Sequence, residues 1–260
     1  MSVLKLKQAL KAGDTVVGTW LNAASPGQAE TIGHAGFDLV ILDTEHSVYD
    51  IAGCENLVRA ADAAQLPCLI RVSDNKPTPV AKALEYGAQG IVIPHVSSQE
   101  EALTAVRNAH YAPMGTRGAA PNVRGAHYGR TPWPEYLAKA KAETLVVLQI
   151  EGKDGLENLD AIMDVEGVDV LFVGPFDLSE SLGISGQLDH PLLLDTVGDV
   201  VRRARARGLA LGIWMPTPEQ AGPWIKRGVQ LITVSNNDMI FLQGCQSFVD
   251  RVKAHIPDQD

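Results

Sequence analysis

Four times this chain repeats one small unit: a helical pattern, a glycine, one or two residues and a run of apolar side chains. The copies read HAGFDLVIL, EYGAQGIVI, ARGLALGIW and KRGVQLITV. A glycine there suits the left-handed residue that ends a helix before the chain turns into a strand. Apolar runs recur along the whole length, at 15–21, 38–43, 67–72, 90–94, 144–151, 169–174, 210–216 and 230–235. They are nearly continuous in Val, Ile and Leu rather than alternating, the pattern of parallel strands covered on both faces. Helix signals fill the gaps, at 26–36, 192–208 and 217–228, and Ser97-Ser98-Gln99-Glu100-Glu101 resembles a capping box. Residues 1–14 read as an amphipathic N-terminal helix. Eight strand-then-helix units predict an α/β fold, a (β/α)8 TIM barrel forming one domain over 1–260. A doubly wound sheet would more often show a glycine-rich phosphate loop after its first strand, and none is present.

The composition is compatible with a large core: 45% of residues are hydrophobic and 20% charged. A net charge of −9 and a pI near 5.2 argue against a nucleic-acid partner and against an anionic membrane surface. Three widely spaced cysteines read as buried thiols in a reducing compartment. No apolar stretch is long enough to span a bilayer and residues 1–14 lack a signal-peptide pattern, so the cytoplasm is expected. Residues 113–134, rich in Gly, Pro and Arg, are too long for a routine connector and read as a functional loop or lid. Residues 183–190 form a smaller insertion, and 249–260 read as a helix end with a polar tail.

A barrel of this kind builds its site from strand C-terminal ends. The polar or aromatic residues there are Trp20, Asn22, Asp43, Glu45, His46, Arg71, His95, Gln149, Glu151, Asp177, Ser179, Trp214, Ser235, Asn236 and Asn237. Glu151 and Asp177 end adjacent strands, and two close carboxylates repel unless a cation lies between them. Carboxylates, waters and substrate oxygens are the usual surroundings of Mg2+, and Mn2+ fits as well. The alternative is that each carboxylate caps the helix after it. Arg71 presents a planar fork suited to a carboxylate, or else forms a structural ion pair, for instance with Glu85. His46 is placed to move a proton, with Asp43 to orient its ring; Glu45 is an equal candidate for the titrating group. The other histidines, His95 among them, read as structural. Gly174 and Pro175 leave backbone open, where the N–H of Phe176 or Asp177 could bind a carboxylate.

At these positions the chain resembles the HpcH/HpaI family of class II pyruvate aldolases, of the phosphoenolpyruvate/pyruvate barrel superfamily. The likeness rests on GTWL (18–21), FDLVILDTEHS (37–47), LIRV (69–72), LEYGAQGIVIPHV (84–96), PMGTRG (113–118), LQIEG (148–152) and FVGPFDLS (172–179), in that order. It implies a metal-dependent, reversible cleavage of 4-hydroxy-2-oxo acids, such as 4-hydroxy-2-oxoheptanedioate, to pyruvate and an aldehyde. Glu151 and Asp177 would hold Mg2+, Mn2+ or Co2+. Arg71 would stabilise the enolate oxygen, Gln149 would hold the substrate, and His46 with Asp43 would be the acid/base pair. The substrate-binding set is Trp20, Arg71, Gln149, Gly174, Pro175, Phe176, Ser179 and Trp214. The family implies a homo-hexamer, a trimer of dimers, with a neighbouring subunit near each site; relatives commonly carry Asp where Glu85 stands. The Schiff-base aldolase class needs a lysine at a strand end, and Lys76 and Lys153 fall in loops instead. The acceptor pocket is expected around Trp214 and 123–128, with the bulk of Trp214 favouring a short aldehyde. Arg117, Arg124 and Arg130 are candidates to steer an acidic one. Two other functions compete: a citryl- or malyl-thioester lyase on the same barrel, and a non-catalytic oxoacid-binding barrel.

Overall fold

The computed structural model describes residues 3–256. Its eight strands are β1 (Val16–Leu21), β2 (Leu39–Asp43), β3 (Cys68–Arg71), β4 (Gly90–Ile93), β5 (Leu145–Ile150), β6 (Val170–Val173), β7 (Ala210–Met215) and β8 (Leu231–Asn236). They close in chain order into one parallel barrel. Its seam pairs Val16 of β1 with Leu231 of β8. The helices are α1 (Val3–Ala12), α2 (Pro26–His34), α3 (Cys54–Ala63), α4 (Pro77–Glu85), α5 (Gln99–Ala109), α6 (Trp133–Glu143), α7 (Lys153–Glu157), α8 (Leu159–Met163), α9 (Pro175–Ser181), α10 (Pro191–Ala206), α11 (Pro218–Lys226) and α12 (Asn237–Lys253). The fold is therefore the expected (β/α)8 barrel with an N-terminal helix.

Two apolar clusters explain the unbroken hydrophobic runs. Alternate strand residues such as Val40, Leu42, Ile70 and Leu148 face outward onto the helices. Their neighbours Leu39, Ile41, Leu69 and Val147 face into the barrel. Because side chains alternate across a strand, both faces must be apolar when both are covered. The interior is filled rather than hollow: Trp20 and Phe172 meet edge to face at 5.9 Å. Gly212 leaves room for that ring, since a Cβ there would lie 2.5 Å from Phe172 Cδ2. Leu6 and Leu10 of α1 plug the N-terminal end of the barrel. Lys7 fastens that plug by an ion pair to Asp169 at 2.9 Å and a hydrogen bond to the Thr144 carbonyl at 2.9 Å.

The punctuation behaves as read. Gly36, Gly87, Gly208 and Gly228, the glycines of the four repeated units, all have positive φ. Ser98 caps α5 by accepting from the Glu101 N–H, while Glu101 reaches back to the Ser97 N–H at 2.7 Å, as a capping box does.

The 113–134 segment departs from expectation: within this chain it is no lid over the strand C-terminal ends. It follows α5, which runs away from that face, so it emerges at the opposite end. There it forms a short 3-10 helix, Arg124–Gly129. Arg124 donates to the Tyr86 carbonyl at 2.7 Å and pairs with Asp62 at 2.5 Å, beyond the C-terminal end of α4 and near that of α3. Glu85, at the end of α4, lines a groove with Asn108, Thr116 and Arg117. Pro257–260 of the expected tail lies outside the described residues. No helix among the described residues is long and apolar enough to cross a membrane.

Candidate active site

The β2–β3 register sets Asp43 beside Arg71 at the C-terminal rim. Asp43 is almost fully buried and accepts from Arg71 twice, from Nε at 2.9 Å and Nη2 at 2.7 Å. It also accepts from Asn22 Nδ2 at 3.1 Å and from the backbone N–H groups of Glu45 and His46. Burial opposes its ionisation, but the paired guanidinium and these N–H donors outweigh that and hold its pKa below the ordinary carboxylate value. The Tyr49 hydroxyl braces the pair by accepting the Asp43 N–H at 3.0 Å and donating to the Leu21 carbonyl. The guanidinium of Arg71 lies over the Trp20 ring, 4.5 Å from its centroid, and Nη1 reaches Glu45 Oε2 at 3.0 Å.

This arrangement corrects two expectations. Asp43 does not orient the His46 ring: it holds the His46 backbone and the Arg71 fork, and the exposed imidazole instead stands 4.0 Å from Glu45 Oε2. Arg71 is paired with Asp43 and Glu45, not with Glu85.

Glu151 leaves the end of β5 and is 3% exposed. Its Oε1 accepts the His95 N–H at 2.7 Å, and its Oε2 accepts Gln149 Nε2 at 2.7 Å. A Cβ on Gly174 would lie 2.4 Å from that Oε2, so only glycine lets the carboxylate lie across the end of β6. Burial raises the Glu151 pKa; the His95 ring and N–H oppose that, and the charges of Asp177 and Glu45 add to the rise. Asp177 stands in the first turn of α9, whose N-cap is Gly174, so it is not the cap. The Oε1 of Gln149 is buried without a partner.

A cavity of about 200 Å³ opens among these groups; Asp43, Arg71, Gln149 and Asp177 line it, whereas Glu45, His95 and Glu151 do not. The rest of its lining is Trp20, Asn22, His46, Gly174, Pro175, Phe176, Trp214 and Asn236. Ser179 is not part of it: its hydroxyl donates to the Phe176 carbonyl at 2.6 Å and accepts the Gly186 N–H at 2.8 Å, which pins the loop after α9. Residues 123–128 and Arg117, Arg124 and Arg130 do not line it either. A larger cavity, about 1380 Å³, lies at the opposite end with those arginines, away from the rim carboxylates. Chemistry rather than volume marks the smaller one as the candidate site.

One participant is missed by the sequence reading, and a second, Glu45, is nominated there without its partners. His95, read as structural, has a left-handed backbone at φ 52° and places its ring between Glu45 and Glu151. Glu45 links that ring to Arg71. Position at a strand end was the available signal for both; the pairing was not.

The family profile described as HpcH/HpaI aldolase/citrate lyase matches residues 16–243. The 5-keto-4-deoxy-D-glucarate aldolase of Salmonella arizonae is 34% identical over 249 residues, covering 96% of this chain and 96% of that protein. The structure of an HpcH/HpaI aldolase/citrate lyase family protein from Burkholderia cenocepacia superposes with a TM-score of 0.91 at 33% identity, covering 96% of this chain and 99% of that one. The HpcH/HpaI aldolase from Desulfitobacterium hafniense gives 0.90 at 32% identity, covering 98% of each chain.

Proposed function

The chain belongs to the HpcH/HpaI aldolase/citrate lyase family and is a carbon–carbon lyase of the retro-aldol type; from that premise we propose that it cleaves short 4-hydroxy-2-oxo acids to pyruvate and an aldehyde with the help of a divalent cation. The observation that carries this reading is the meeting of the Asp43–Arg71 pair, Gln149 and Asp177 at one small cavity, with the buried Glu151 bonded to Gln149 and near enough to Asp177 for their charges to interact.

The donor set suits such a cation. No cluster of three or more His, Cys, Asp or Glu side chains able to hold a metal occurs among the described residues. Two hard carboxylates leave coordination positions for water and substrate oxygens, which is how Mg2+ is commonly held, and Mn2+ has similar needs. The buried Glu151, with Asp177 and Glu45 adding like charge, is the kind of site a cation relieves. Bound there, the ion supplies Lewis-acid polarisation of the 2-oxo group.

The remaining steps belong to the protein. Cleavage removes the proton from the C4 hydroxyl, breaks the C3–C4 bond and leaves its electron pair as the pyruvate enolate. Arg71 stabilises the negative charge developing on the 2-oxo oxygen, with second N–H groups on Nη1 and Nη2 to offer while Asp43 holds its Nε edge. Gln149, locked by Glu151, offers its free Oε1 and orients the substrate. Phe176 and Asp177 line the cavity, and their N–H groups would bind the substrate carboxylate. His46 takes the C4 hydroxyl proton, and return of that proton to C3 of the enolate completes pyruvate and restores the neutral imidazole. Glu45 is held by Arg71 and His95, which supports His46 over Glu45 as the group that moves the proton.

The named substrate of the Salmonella relative, 5-keto-4-deoxy-D-glucarate, is itself a 4-hydroxy-2-oxo acid when numbered from its keto-acid end. In this chain Trp214, held by its Nε1–H to the Ser235 carbonyl at 3.1 Å, and the exposed Phe176 restrict the acceptor end. Coupled pyruvate release from a substrate panel tests the reading. Wild type should prefer short acceptor halves, and Trp214→Ala should raise kcat/KM for long ones about tenfold, the worth of one or two methylenes. No pyruvate from any member would sink the assignment; unchanged ratios in the variant would sink only the role of Trp214.

We further propose a homo-oligomer, the hexamer being the state implied by the family. Met239, Phe241, Leu242, Phe248, Val249 and Val252 of α12 are all exposed, an apolar face that a second copy would cover. A monomeric mass by light scattering would rule this out.

A further inference from the structure

His95 is the residue that ties the two halves of the site together. It follows β4 by two positions, and its left-handed backbone directs the N–H onto Glu151 Oε1 at 2.7 Å. From the same residue the ring spans two carboxylates: Nδ1 lies 2.9 Å from Glu151 Oε1 and Nε2 lies 2.9 Å from Glu45 Oε1. Glu45 in turn reaches Arg71 Nη1 at 3.0 Å. An unbroken polar chain therefore runs Asp43, Arg71, Glu45, His95, Glu151, Gln149. The side chains of Glu45 and Glu151 are 13% and 2% exposed and the imidazole 60%, so the ring lies at the rim across one half-buried and one buried acid.

A histidine that served only packing would turn one nitrogen to a backbone partner and bury its face. This one is exposed, has no apolar role in the core, and uses both nitrogens on groups with separate functions. Neither carboxylate is held in place by its own strand at the oxygen the ring touches. We propose that His95 is a positioning residue that fixes Glu151 as a cation ligand and, through Glu45, sets Arg71 relative to it. This rests on the reading of Glu151 as a ligand, and partners that orient a ligand are typically worth 10–100-fold in metal affinity.

The test is His95→Asn. Asparagine tolerates the left-handed region, so the backbone N–H to Glu151 is kept while the ring bridge is lost. Mn2+ binding to the metal-stripped full-length protein, without substrate, is followed by electron paramagnetic resonance beside thermal melting and pyruvate-release kinetics. The expected result is Mn2+ binding weakened 10–100-fold with the melting temperature little changed. Glu45→Gln should weaken it in the same direction, and the double variant should lose less than the two single losses combined, because the two side chains act through one another. Wild-type Mn2+ affinity in His95→Asn would overturn the proposal. Failure of the wild type itself to bind Mn2+ would overturn the ligand reading first and this inference with it, while wild-type binding that Glu151→Gln abolishes shows that the ion sits where the argument needs it.

Discussion

Arg71→Ala is expected to lower kcat for pyruvate release by about 10²–10³-fold, the usual loss when a charge-stabilising donor leaves a developing oxyanion. The same change should destabilise the fold by about 3–5 kcal/mol, because it strands a buried carboxylate. Arg71 and Asp43 are 8% and 2% exposed at their side chains, so solvent does little to replace the lost partner. Asp43 would keep only Asn22 and two backbone N–H groups. The pH dependence should change sign. In the wild type the folded pKa of Asp43 lies below its unfolded value, so the stability it contributes is present above the ordinary carboxylate range and lost as pH falls through the lowered value. Without Arg71, burial dominates and raises the folded pKa, so stability should be greatest at acid pH and fall as pH rises. Urea unfolding at pH 5 and pH 7 reads this directly. A combined Arg71→Met, Asp43→Leu protein separates the roles, since it should recover stability but not turnover. A stable, active Arg71→Ala protein would remove the arginine from the account.

Glu151→Gln should cost on the order of 10³-fold or more in turnover and abolish tight cation binding, yet leave the fold intact. The substitution is isosteric. Its amide oxygen can still accept the His95 N–H. Its new NH2 would meet Gln149 Nε2, a clash that a flip of the Gln149 amide removes, because the flip presents the Oε1 that now lacks a partner. In the metal-stripped protein, stability should rise slightly at neutral pH. Burial raises the folded pKa of Glu151, so its contribution is present below the unfolded value and lost as pH rises; the variant has no such loss. Titration with Mn2+, and urea unfolding of both metal-stripped proteins at pH 7, check both parts. Retained cation affinity in a folded Glu151→Gln protein would move the metal elsewhere.

The barrel was legible because its signals are local. Continuous Val, Ile and Leu runs follow from strands covered on both faces, and Gly36, Gly87, Gly208 and Gly228 stand where helices must end in the left-handed region. The strand-end rule was enough to nominate Asp43, Arg71, Gln149, Glu151 and Asp177, all of which the fold brings to one rim. What escaped depends on register and side-chain pairing. Asp43 meets Arg71 because β2 and β3 pair them side by side, a fact no single strand carries. His95 reads as structural because it has no metal-like spacing to another histidine, and its role depends on two acids from other strands. Ser179 looked like a rim hydroxyl but turns inward to pin the loop after α9. The 113–134 segment was misplaced although the cue was present: a loop that follows a helix returns to the N-terminal face, away from the site.

The most direct measurement is pyruvate release from 4-hydroxy-2-oxoheptanedioate by metal-stripped protein, with and without added Mg2+ or Mn2+. The account predicts release only when the cation is restored, and none from Glu151→Gln under either condition. Release from the stripped wild-type protein at the full rate would contradict it.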